Sequence, residues 1–74
     1  MIYKNEIMAR MKRAGIRVRT HHVMMGMNYA DVALLPEDIP AAKREFRLIN
    51  IAVGFDYNSG RQTMRIDRRE VNNG

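Results

Sequence analysis

The side chains of this sequence that could do chemistry are an adjacent histidine pair, one serine, a methionine cluster and a set of cations near the N-terminus. His21 and His22 are the only histidines. On an extended chain neighbouring residues point to opposite faces, so one metal ion cannot take both, and a structural zinc site wants more nitrogen or sulfur ligands than remain. Cysteine is absent, which removes disulfide frameworks, cysteine-based zinc sites and thiol catalysis together. His22 is expected opposite Asp31 in a hairpin, a pair that could orient an imidazole for base catalysis. A triad also needs a positioned nucleophile, and Ser59, the single serine, is explained by a turn. The expectation is a protein that is not an enzyme and holds no metal or cofactor. Met24, Met25 and Met27 could bind Cu(I) through their thioethers, but methionine more often fills core gaps or forms adaptable contact surfaces. Val23 and Met25 are expected to face outward, Met25 as part of such a surface.

The cations carry the strongest functional signal. Residues 1–20 hold six basic side chains and one acidic, for +5, which equals the net charge of the whole chain. Arg10, Lys12 and Arg13 close a helix and Arg17 and Arg19 open the next segment, so the five are expected to meet on one surface. Such a field attracts phosphate backbones or acidic proteins without choosing between them. Arg61, Arg65, Arg68 and Arg69 could extend it, diluted by Asp56 and Asp67. Gly54 and Gly60 lack the pattern of a phosphate loop, and residues 16–25 read as strand rather than as half of a helix-turn-helix. Single-strand binders present aromatics on an open sheet face, whereas Phe55 and Tyr57 are expected in the core.

These side chains are positioned by elements legible from periodicity. Residues 2–14 carry Tyr3, Ile7, Met11 and Ala14 at helical spacing, with Met8 widening the stripe and Gly15 as the stop. Residues 16–25 alternate as a strand, with Ile16, Val18, Thr20, His22 and Met24 on one side. A turn at Gly26-Met27 leads into a strand from Tyr29 to Leu35, pairing Met24 with Tyr29 and Val18 with Leu35. Asp38 is the expected N-cap of a short helix over Pro40 to Glu45, with Ile39 and Ala42 reaching the core. The chain from Phe46 to Arg68 reads as a hairpin around Asn58-Ser59-Gly60. Its two strands change parity, so an even loop that pairs Tyr57 with Gln62, Phe55 with Met64 and Val53 with Ile66 keeps one face apolar.

The resulting fold class is α+β: a small antiparallel sheet of about four strands, in the order α-β-β-α-β-β, with the N-terminal helix packed on one face. One domain spans residues 1–74, with 70–74 frayed. A core of this size is modest, which makes a homodimer plausible on size alone. No apolar run approaches a membrane span, and the composition fits a cytoplasmic protein. The function expected is a small basic binding module that contacts nucleic acid. The alternative is a protein-binding modulator or inhibitor, in the style of phage and mobile-element accessory proteins, docking on an acidic or nucleic-acid-binding site. No small-molecule substrate suggests itself.

Overall fold

The computed structural model describes residues 1–69, with side chains throughout that span except at 51–53. The expected fraying of 70–74 and the inward orientation of Val53 lie outside the described residues. The elements are α1 (Lys4–Arg13), β1 (Val23–Met25), β2 (Tyr29–Leu34), α2 (Ile39–Glu45), β3 (Ile49–Asp56) and β4 (Arg61–Asp67), with 3-10 turns at Thr20–His22 and Pro36–Asp38. Among the described residues the strands form one antiparallel sheet in the order β1-β2-β4-β3. The α+β class and the α-β-β-α-β-β order are those read from periodicity.

The core lies between one sheet face and the two helices. Ala30, Val32 and Leu34 of β2 and Met64 and Ile66 of β4 are buried on that face, in keeping with the two-residue period of a strand. They meet Ile7 and Met11 of α1, Ala42 of α2 and Phe46 just after it. Each such apolar side chain contributes about 1.5–3 kcal/mol when fully buried. Ile39 also packs against this cluster, as its spacing from Ala42 implied.

Helix α1 ends where Gly15 predicts. Gly15 adopts φ +77°, its N–H donates to the Lys12 carbonyl at 3.0 Å, and the N–H of Ile16 reaches back to the Met11 carbonyl at 2.9 Å. That double closure is a Schellman stop, which turns Ile16 into the core. The helix starts later than expected. Tyr3 sits outside it, exposed, and Ile2 takes the buried place, its N–H bonded to the Arg68 carbonyl at 2.7 Å. Asp38 holds the position before α2 but makes no capping bond with its side chain.

Two registers differ from those the sequence suggests. Residues 16–19 are irregular and 20–22 form a 3-10 turn, so β1 keeps only Val23–Met25 of the expected strand. The turn is closed by the His22 N–H on the Arg19 carbonyl and by the Arg19 N–H on His22 Nδ1, both at 2.9 Å. A side chain has taken a donor that a ladder would have used. The extra turn shifts the phase of β1: Val23 pairs with Val32, Met24 with Asp31 and Met25 with Ala30. Val23 and Met25 therefore face inward and Met24 outward, the reverse of the expectation.

In the β3–β4 hairpin the even loop is present, but it covers Tyr57 to Gly60, with Asp56 opposite Arg61 and Phe55 opposite Gln62. The cause is Asp56. Its carboxylate accepts the Asn58 N–H and the Ser59 hydroxyl, each at 2.9 Å, which sets the loop one residue earlier than an Asn-Ser-Gly turn. Gly60 supplies the positive φ at +71°. A register shift between Asn50 and Gly54 then places Ile49, rather than Val53, opposite Ile66.

Phe55 and Tyr57 are exposed, by 47% and 90%, and not in the core. The earlier loop leaves Tyr57 outside the ladder and puts Phe55 near its end, opposite Gln62.

Candidate functional site

The acidic side chains sort the arginines. Arg65 on β4 lies opposite Asp31 on β2 and clasps it through two bonds, Nε to Oδ1 at 2.8 Å and Nη2 to Oδ2 at 3.0 Å. Its guanidinium also stacks on the Tyr29 ring, 3.8 Å from the centroid. Arg69 likewise grips Asp67, and its guanidinium pulls that carboxyl down to about 2. Arg68 is directed to backbone carbonyls of Ile2, Gly26 and Met27. Arg65 and Arg68 join segments distant in sequence, whereas Arg69 braces the end of β4 locally.

Arg10 belongs with them. It was expected on the basic surface, but it is 7% exposed. Its side chain donates to the Glu45 carbonyl, lies 3.5 Å from the Glu45 carboxylate and rests 4.2 Å from the centroid of Phe46. Arg10 ties α1 to the end of α2, because its position on the helix is the one that faces the second helix. Arg13 lies on the same carboxylate at 3.2 Å while staying largely exposed. Met25, also a candidate, is half-buried against the core.

The remaining candidates converge. Two grooves flank the extended chain at 16–19 and share Arg17 and Val18. One, about 410 Å³, is lined by Met8, Ala9, Lys12 and Ile16 besides those two. The other, about 400 Å³, is lined by Arg17, Val18, Arg19, Leu35 and Arg61. Arg61 is the residue that sequence reasoning placed only as an extension of the patch. Its guanidinium donates to the Ala33 carbonyl at 2.8 Å and the Arg17 carbonyl at 3.2 Å, which joins the end of the sheet to the 16–19 segment. Both partners are remote in sequence, so only the strand order brings them together.

The groove end is electropositive. Arg17 is paired with Glu37 at 3.0 Å, but both side chains are exposed, and such a pair is worth about 0–1 kcal/mol. A phosphate can displace that carboxylate at little cost. His22 lies near these cations. Partial burial holds its pKa below the ordinary histidine value, and nearby Arg61, His21 and Arg19 lower it further. With Nδ1 accepting the Arg19 N–H, its ring is neutral at pH 7.

His22 and Asp31 are not brought together: Met24 stands opposite Asp31, whose carboxylate is occupied by Arg65. The base-catalysis arrangement is therefore absent among the described residues. No group of three or more metal-ligating side chains is found among them, and no helix there is long and apolar enough to cross a membrane. What this end of the molecule brings together is Lys12, Arg17, Arg19 and Arg61 around two adjoining grooves. No family model, curated protein or solved structure matches the chain.

Proposed function

We propose that this protein is a non-enzymatic binding module that holds a nucleic-acid backbone along Lys12, Arg17, Arg19 and Arg61. One observation supports the reading: Arg65 and Arg69 are spent on carboxylates, while of the groove-lining arginines Arg17 is in a solvent-exposed pair with Glu37 and Arg61 is bonded to backbone carbonyls. Charge placed this way steers and binds polyanions. A reducing cytoplasm suits such a cysteine-free chain. The test is binding to labelled duplex DNA as salt rises. Four phosphate contacts give a log–log slope of about −3.6 on duplex. Undetectable affinity for both duplex and single-stranded DNA at about 50 mM salt, or a slope near zero, overturns the reading.

A second reading, a protein-binding modulator, has its own support. Met24 and Met27 are 54% and 82% exposed and lie on and just beyond β1, an open edge of the sheet. Exposed apolar side chains on an open sheet edge suit docking on a protein partner. Purification from the native host with and without nuclease separates the two, since a nuclease-resistant stoichiometric protein complex favours the modulator.

A further inference from the structure

We infer that the nucleic acid is single-stranded and that its bases stack on Phe55 and Tyr57 at the tip of the β3–β4 hairpin. This inference rests on the proposed function and specifies its ligand. The two rings meet edge to face with centroids 5.0 Å apart, and both are open to solvent. Exposed aromatic faces are costly to keep in water and are the usual platform for unpaired bases, where every base has a face to offer.

Their location supplies the second argument. Phe55 pairs with Gln62 and Asp56 with Arg61, so the rings and Arg61 occupy neighbouring rungs at the hairpin end of the sheet but, by alternation, Phe55 projects to the opposite face from Arg61. Arg61 in turn reaches the Arg17 carbonyl in the groove. A strand whose phosphates follow Arg17, Arg19 and Arg61 reaches the rings by turning round this end of the sheet. Asp56 stays ionised between the rings, its carboxylate bonded to Asn58 and Ser59, so bases rather than phosphates meet the hairpin tip. A duplex can meet the cations but cannot use the rings, since its bases are already stacked on one another.

The experiment uses the full chain and fluorescence anisotropy with oligothymidylate of about 15 nucleotides, the same length of oligouridylate, and a duplex of equal length. The deoxy strand binds about tenfold more tightly than the duplex, and the ribo strand within about threefold of the deoxy strand, because neither stacking nor phosphate contact uses the 2′-hydroxyl. Tyr57→Ala, at an exposed loop position, loses about tenfold on both single strands and leaves the duplex unchanged, while Tyr57→Phe retains wild-type affinity. Equal affinity for strand and duplex with a silent Tyr57→Ala overturns the inference and leaves the phosphate reading standing. Binding to none of the three overturns both, as does a stoichiometric acidic protein partner without strand affinity. A ribose requirement above about tenfold overturns the stacking account alone.

Discussion

Arg61 and Arg65 sit on the same strand, and each lies opposite an aspartate of a neighbouring strand. Arg65 is clasped by Asp31 and stacked on Tyr29. Arg61 is not held by Asp56, since that carboxylate is engaged by Asn58 and Ser59 at the hairpin turn, and it turns instead to carbonyls of Ala33 and Arg17. A carbonyl satisfies the hydrogen bonds of a guanidinium without cancelling its charge. One end of the sheet is therefore cationic and the middle is not, although arginines occupy both. The tightly stacked middle is reinforced by Gly26, where an added Cβ would come within 2.6 Å of the Tyr29 ring.

The strongest way to break this contrast is to remove the arginine that is most deeply committed. Arg10→Ala strips Glu45 of a buried partner and Phe46 of its stacked cation, and it should destabilise the domain by about 3 kcal/mol. In a chain of this size that lowers the melting temperature by roughly 15 °C. Circular dichroism melts check it; an unchanged Tm would mean that Arg10 is no structural tie. The groove variant Arg19→Ala is the natural reference, because it removes an exposed cation outside the core.

A smaller effect sharpens the contrast from the other side. Asp31→Asn weakens the double clasp on Arg65 and costs about 1 kcal/mol, less than a fully buried pair because Arg65 is partly exposed. If neutralisation is what silences the middle of the sheet, the same change should make Arg65 available to phosphate. The slope of log affinity against log salt for duplex then steepens by about 0.9. An unchanged slope would mean that position, rather than pairing, excludes Arg65.

The sequence was informative where one period decided the matter. Ile7 and Met11 fixed the buried face of α1 and Gly15 its end, whereas the face of β2 that is buried, Ala30, Val32 and Leu34, is the reverse of the one that pairing Met24 with Tyr29 implies. It misled where a side chain competed with the backbone for a hydrogen bond. His22 closing on Arg19 converted half of an expected strand into a turn, and Asp56 capping its loop moved the hairpin register. The same shift leaves Tyr57 outside the ladder and Phe55 near its end, so neither joins the core to which alternation assigned them. Of the basic set, Lys12, Arg17 and Arg19 could be read locally. The burial of Arg10 and the arrival of Arg61 depended on contacts 35 and 44 residues apart.

The smallest effect is a matter of sign. His22 has a folded pKa below its ordinary value of 6.5, from burial first and then from Arg61, His21 and Arg19. Above about pH 6.5 both folded and unfolded chains carry it neutral, and its contribution to stability is complete. As pH falls below 6.5 the unfolded chain takes up the proton first, so stability is lost progressively down to the folded pKa. His22→Asn keeps an acceptor for the Arg19 N–H and removes the titration. Urea midpoints measured at pH 7 and at about pH 5.5 should therefore fall more for the wild type than for the variant. Strand affinity should move the opposite way, rising as pH falls, because a phosphate in the groove favours the protonated imidazole and offsets the lesser, coulombic part of what disfavours it. Parallel losses of stability in both proteins would mean that the titration of His22 contributes nothing to them, and affinity that fell with pH would place the anion away from Arg19 and Arg61.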